Sequence, residues 1–167
     1  MESNSTYYKT PIGFAEIIGD NNGIQSIALI DNNTNEQGLE KFNLPQDIPE
    51  CLQECALQLK EYFKGERTKF DLLLNPQGTS FQKLVWKELC NIPFGKTRSY
   101  LAQSKLIGDP KAVRAVASAN GKNPIWIVVP CHRVIGSDGS LTGYAGGLWR
   151  KKWLLDHESP VKQQSLF

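Results

Sequence analysis

The tetrapeptide NPQG at residues 75–78 interrupts the chain where its hydrophobic pattern changes period, and this break limits the fold to two small units of different kind. Ahead of it, residues 5–31 read as short strands. YYKTPIGFAEIIGDNNGIQSIALID carries aromatic and β-branched residues, and GDNNG is a hairpin-type turn. DNNTNEQG, which follows, is a polar loop. From Asp47 to Lys64, Ile48, Cys51, Leu52, Cys55, Leu59, Tyr62 and Phe63 recur at three- and four-residue steps. That spacing predicts an amphipathic helix, stopped at Gly65. KFDLLL predicts a further strand before the break.

Beyond the break the pattern is helical. Thr79 can cap a helix with Phe81, Leu84, Val85, Trp86 and Leu89 on its core face, ended by Pro93 and Gly95. SYLAQSKLIG predicts a second helix and PKAVRAVASAN a third, with Asp109 capping Pro110 at the first helical position. Two short helices about a tight turn outline a helix-turn-helix. IWIVV then predicts a strand leading to Pro130 and Cys131, followed by a Gly-rich loop and a closing helix, GLWRKKWLLDHE. The expected class is α+β. A small N-terminal antiparallel sheet plus helix occupies residues 1–74, a mostly helical C-terminal domain occupies 79–158, and 159–167 is a tail.

With 167 residues and 40% hydrophobic content, the chain can bury a real core. The first residues, MESNSTYYKT, lack the basic-then-apolar pattern of a secretory signal, and no segment reaches the ~20 apolar residues of a membrane span. The expectation is a cytoplasmic protein whose four cysteines stay reduced. Cys51 and Cys55, four apart on an apolar face, suit a core better than a metal site. The net charge of +2 conceals an asymmetry, because residues 1–78 carry −6 and residues 79–158 carry +7. A basic half of this kind suits a polyanion.

Two segments carry candidate chemistry. In KAVRAVASAN, Ala112, Ala115, Ala117, Ser118 and Ala119 surround a single long side chain, Arg114. Small residues allow close approach to a narrow groove, and one arginine can occupy the space of a displaced base. An Ala-rich helix packed on a neighbour, with Arg114 in solvent, fits the same letters. In VVPCHRV, Cys131 adjoins His132. A catalytic cysteine needs a base, yet neighbours on an extended strand point to opposite faces. Either the backbone turns sharply at Pro130 or a water relays the proton. Glu158 is a candidate carboxylate to orient the histidine, although its place near a helix end also suits solvent. Taken alone, Cys131 also fits a small buried hydrophobe.

IPFGKTRSY, GDPKAVRAVASANGKNP, VVPCHRVIGSDGSLTGYAGG and KKWLLDHE occur in this order. Together, across residues 80–158, they resemble the O6-alkylguanine-DNA alkyltransferases, or methylated-DNA–protein-cysteine methyltransferases. The N-terminal half resembles that family only in element order and length. The resemblance implies direct repair of duplex DNA carrying O6-alkylguanine, and also O4-alkylthymine, by base flipping and irreversible transfer to the protein's own cysteine. It assigns Cys131 as acceptor, His132 as base through a water, Glu158 as the residue that orients the histidine, and Asn123 as the brace beneath the site. Arg114 matches the finger that replaces the flipped nucleotide, and Tyr100 a tyrosine near guanine N3 that can donate a proton. Tyr144 matches a pocket wall, and the backbones of Val134 and Ala145 match groups that read the guanine. Ala112, Ala115 and Ser118 fall on the minor-groove face, with Lys96, Arg98 and Lys111 as phosphate contacts. The resemblance implies a monomer at work where the DNA is (the nucleus in a eukaryote), with no cofactor, no metal and no membrane partner.

Trp126 stands where many relatives carry proline or a small residue, so its bulk is expected to shape the pocket. The first 50 residues hold neither Cys nor His, so the zinc site of some relatives is not expected. With nearly all residues used by two halves, no fused sensor domain is expected either. A non-catalytic damage-binding protein of the same fold is the nearest alternative, and it would lack the acceptor that Cys131 supplies. A plain helix-turn-helix regulator leaves Pro-Cys-His-Arg unexplained, and a cysteine hydrolase suits an adjacent Cys–His pair poorly.

Overall fold

The computed structural model describes residues 3–31 and 48–160, so most of the DNNTNEQG loop, the start predicted for the first helix at Asp47 and most of the tail lie outside it. The chain divides into two compact units, one of residues 1–77 together with Pro124–Trp126, the other of 78–123 and 127–167.

In the first unit, β1 (Asn4–Thr10), β2 (Gly13–Asp20) and β3 (Gly23–Ile30) form an antiparallel sheet in chain order. The β2–β3 turn is tight because Gly23 takes φ +133 and the Asp20 carboxylate accepts a hydrogen bond from the Asn22 amide. Helix α1 (Glu50–Phe63) packs on β1 and β2 through Leu52, Cys55, Ala56, Leu59 and Tyr62. Cys55 is a core residue whose thiol burial pushes up to about 12, while Cys51 is only half-buried. KFDLLL is not a strand. Among the described residues its one ladder contact is a bridge, Leu74 to Ile24, where Ile24 both donates to Leu73 and accepts from Asn75, while the Asp71 backbone is taken up by the Gln58 side chain of α1.

The second unit begins with α2 (Ser80–Leu89), nucleated by a capping box in which Thr79 Oγ1 accepts from the Gln82 amide and the Gln82 side chain accepts from the Thr79 amide. Val85, Trp86 and Leu89 are buried, whereas Phe81 and Leu84, expected in the core, are 37% and 49% exposed. A ten-residue helix against two neighbours buries one narrow stripe, and these two side chains fall outside it. Next come β4 (Arg98–Ser99), α3 (Tyr100–Ile107) and α4 (Val113–Gly121), then β5 (Val134–Ile135), which pairs in parallel with β4, and α5 (Leu148–Glu158).

The turn between α3 and α4 differs from expectation. Gly108 closes α3 at φ +104, Asp109 accepts from the Lys111 amide, and Ala112 donates to the Asp109 carbonyl, so α4 starts at Val113 rather than at Pro110. The Asp109 side chain serves a local turn instead of a helix cap. Trp86 Nε1 donates to the Ala119 carbonyl at 2.8 Å, and Gln103 and Asn120 exchange two amide hydrogen bonds, fixing α4 against α2 and α3.

IWIVV is not a strand either. After one bridge between Ile125 and Ile27, the backbone turns, with Ile127 at φ +74, an unusual conformation for a β-branched residue. Its apolar letters reflect burial, since Ile125 and Ile127 are fully buried and Val128 and Val129 nearly so. Among the described residues, no helix is long and apolar enough to cross a membrane. Thr79→Ala should lower unfolding free energy by about 1 kcal/mol in urea titrations, since it removes one half of the capping box. An unchanged midpoint would mean the exposed box contributes nothing.

Candidate active site

Cys131 lies where a chain reversal ends. Pro130 takes φ −84 and ψ 64, and the Cys131 amide donates to the Val129 carbonyl at 2.8 Å, an inverse γ-turn. A single 3-10 turn, Cys131–Arg133, follows at once. The sharp reversal at Pro130 therefore replaces the extended geometry that would send adjacent side chains apart. Asn123 braces the reversal, its Nδ2 donating to the Val129 carbonyl at 2.8 Å and to Cys131 Sγ at 3.3 Å.

The cysteine and histidine share no hydrogen bond. His132 is fully buried, and its Nε2 lies 2.8 Å from Glu158 Oε2. Glu158, at the end of α5, is 3% exposed rather than a solvated helix end. On its other side Arg133 donates from Nε to Oε1 at 2.7 Å and from Nη2 to Oε2 at 3.0 Å. Although burial works against the charge, His132 and Arg133 together hold the Glu158 carboxyl far below its ordinary value. An ionised carboxylate only accepts, so Nε2 carries the imidazole proton. Nδ1 makes no hydrogen bond to the protein and is the nitrogen left to take one.

Burial dominates the other two shifts. It pushes the Cys131 thiol up, against lowering by the Asn123 hydrogen bond and the Lys151 ammonium. It pushes His132 down, against the attraction of Glu158. At neutral pH the resting site is therefore a thiol, a neutral imidazole and a carboxylate.

Cys131 opens into a cavity of about 480 Å³, lined from α4 by Arg114, Ala117 and Asn120, from the Gly-rich loop by Thr142, Tyr144 and Ala145, and by Tyr100 of α3. That volume falls within the roughly 300–1,000 Å³ common for small-molecule sites. Burial raises the Tyr144 hydroxyl well above its ordinary value, so it remains protonated. Tyr100, the first residue of α3, donates its hydroxyl to the Thr142 carbonyl at 2.9 Å.

Lys151 escaped the sequence reading. It is fully buried and donates to Thr142, Gly143 and the Tyr100 oxygen at 2.8, 3.3 and 3.4 Å, clamping the loop to α3. Burial brings its pKa down to about 8. The signal was present, because Lys151, Leu154 and Glu158 fall three and four residues apart on the inward face of one helix.

Some expected residues lie elsewhere. Trp126 does not line the cavity. It belongs to the first unit, where its amide donates to the Ile27 carbonyl. Val134 is fully buried in the β4–β5 pair, and its amide donates to the Cys131 carbonyl, so it too is absent from the lining. Arg98 is held by Glu88 at 3.6 Å instead of standing free, while Lys96 and Lys111 are exposed. On α4, Arg114, Ala115 and Ser118 are exposed, and Ala112, just before it, is half-exposed. Among the described residues no group of three or more His, Cys, Asp or Glu could hold a metal ion.

Both shifts at the His132–Glu158 pair act on stability in the same direction. The unfolded chain takes protons at the ordinary values of 6.5 and 4.5, and the folded site resists both. Stability is therefore fully present above 6.5, declines as pH falls through that value, and declines again below 4.5. Glu158→Gln should cost roughly 3–5 kcal/mol near neutral pH, since it strands a buried guanidinium. It should also abolish the lower decline in urea midpoints while keeping the upper one. A variant that follows the wild type below 4.5 would contradict the assignment.

Two family models match, the 6-O-methylguanine DNA methyltransferase ribonuclease-like domain over residues 5–76 and its DNA-binding domain over residues 80–160. A methylated-DNA–protein-cysteine methyltransferase from Methanosarcina barkeri is 46% identical over 153 residues, covering 90% of this chain and 93% of the relative. The crystal structure of the Mycobacterium tuberculosis O6-methylguanine methyltransferase superposes with a TM-score of 0.80 at 39% identity, covering 99% of this chain and all of that one. A structure of the M. tuberculosis protein in complex with DNA gives 0.80 at 38% identity, covering 98% and 99%. The motifs, the fold and these likenesses agree, and the chain belongs to the methylated-DNA–protein-cysteine methyltransferase family.

Proposed function

We propose that this protein repairs alkylated DNA directly, moving a methyl or other alkyl group from O6 of a flipped guanine to Cys131 and being consumed by the reaction. The observation that carries this reading is a cysteine, braced by Asn123, opening into a cavity lined by Arg114 while the adjacent His132 is fixed by Glu158. The relatives are named for methylated DNA and a protein cysteine, and one M. tuberculosis structure is a complex with DNA.

The chemistry balances. His132 Nδ1 takes the thiol proton through a bridging water, and sulfur forms a bond to the alkyl carbon. The C–O6 bond breaks, and its electron pair passes to the guanine, which takes a proton at N3 from Tyr100. The proton gained by His132 and the one lost by Tyr100 then equalise through solvent. A thioether has no facile hydrolytic exit, so each chain acts once. The thymine analogue, alkylated at O4, offers the same alkyl–oxygen bond.

Binding follows from α4. Its exposed Ala115 and Ser118, with the half-exposed Ala112 just ahead of it, allow close approach to the minor groove, and Arg114 fills the stack where the base leaves. Lys96 and Lys111 contact phosphates and make binding salt-sensitive, with Arg98 a weaker candidate because Glu88 holds it. Tyr144 and the Ala145 amide face the base. One chain supplies nucleophile, base and finger, so a monomer suffices.

Cys131→Ala should abolish demethylation of a duplex carrying O6-methylguanine while retaining its binding; persisting demethylation would refute the acceptor. Arg114→Ala should slow the duplex reaction far more than reaction with free O6-alkylguanine, because flipping is needed only in the duplex. Equal losses would remove Arg114 from the finger role.

A further inference from the structure

Arg133 has no part in the transfer as described, and it does not line the cavity. It is nevertheless 6% exposed and fully engaged: both oxygens of Glu158 accept from it, its Nη1 donates to the Ile92 carbonyl at 2.7 Å, and its guanidinium lies 5.9 Å from the centre of the Phe94 ring. The Glu158 carboxylate is thus shared between a permanent cation and an ionisable ring. A buried carboxylate with the histidine as its sole partner would draw its compensating charge from the ring, which would then hold a proton. A guanidinium does not give up its proton, so here the compensation is already supplied.

We infer that Arg133 is a positioning residue for the transfer, keeping His132 a neutral imidazole able to accept the cysteine proton. The inference rests on the proposed function for its meaning. The groups facing His132 support it from each side. Glu158, on α5, favours a proton on the ring, while Lys151, also on α5, and Arg133, on its own turn, both oppose one; Cys131, beside it, is a thiol at rest. Removing Arg133 leaves the carboxylate's attraction opposed by Lys151 and burial alone, so the ring takes its proton at higher pH. The same bidentate grip fixes Glu158 Oε2 against Nε2, which directs Nδ1 away from the carboxylate.

The test is an NMR titration of the histidine ring Cε1–H signals in the full chain, wild type against Arg133→Met and Arg133→Lys. The chain has two histidines, so His157→Gln assigns the signal of His132. The wild-type ring should stay neutral down to 6.5, the ordinary histidine value. In Arg133→Met it should titrate at least about one pH unit higher than in the wild type, with Arg133→Lys in between. The acidic limb of the pH–rate profile for methyl transfer should move with it, leaving the plateau above the limb in place. A His132 titration that coincides with the wild type in folded Arg133→Met overturns the inference, as does a lost plateau with an unmoved limb. If Arg133→Met does not fold, Arg133→Lys decides, and an unmoved His132 signal there refutes it. The titration needs no DNA, so a wild type that transfers no methyl group would fail the proposed function and leave this result to stand on its own.

Discussion

A carboxylate 3% exposed to solvent stays ionised only where it is neutralised and hydrogen-bonded at once, and the second unit is arranged to do this for Glu158. The carboxylate terminates α5, and its partners, His132 and Arg133, are consecutive residues of the single 3-10 turn that begins with Cys131. Arg133 extends the linkage to the Ile92 carbonyl in the segment after α2. One anion therefore ties the last helix, the nucleophile's turn and the loop that follows the first helix of this unit. Replacing such a group singly is expensive, because the remainder is a buried charge without its partner.

The turn that carries the nucleophile is held from below as well. Five apolar residues lie between Pro124 and Pro130, and Ile127 takes a left-handed conformation that costs on the order of 1–2 kcal/mol for a residue other than glycine. The Asn123 side chain and the inverse γ-turn at Pro130 fix the path of the backbone into Cys131. The result is a thiol aimed into a cavity without a direct bond to its base. Burial keeps that thiol protonated and that base neutral, so the charge separation of the attack waits for a substrate.

The reading from sequence succeeded where chemistry and local pattern coincide. The hairpin turn at GDNNG, the helix cap at Thr79 and the pair of helices about Gly108 each follow from residues within a few positions of one another. It failed where burial imitates periodicity. IWIVV carries strand letters because its side chains are covered, whereas KFDLLL stays largely open, with Leu73 67% exposed, and nothing in the letters says that each would find a single bridge. For the site, Pro-Cys-His and its companion motifs pointed to Cys131, Asn123 and Glu158, three residues that the fold gathers around one turn. Trp126, expected at the pocket from its match to relatives, lies in the first unit and outside the cavity lining, a placement no local pattern signals. Lys151 was hidden by its neighbours in RKKW, where three consecutive cations suggest a solvated face although Arg150 and Lys151 are both buried.

The central claim is that Cys131 accepts the alkyl group and retains it. Intact-protein mass spectrometry after incubation with a short duplex carrying one O6-methylguanine tests it most directly, with the product digested to locate the change. The account predicts a gain of one methylene mass per chain, mapped to the peptide holding Cys131, and no second turnover on fresh duplex. Tight binding of the damaged duplex with an unchanged mass, or repeated turnover without modification, would contradict it.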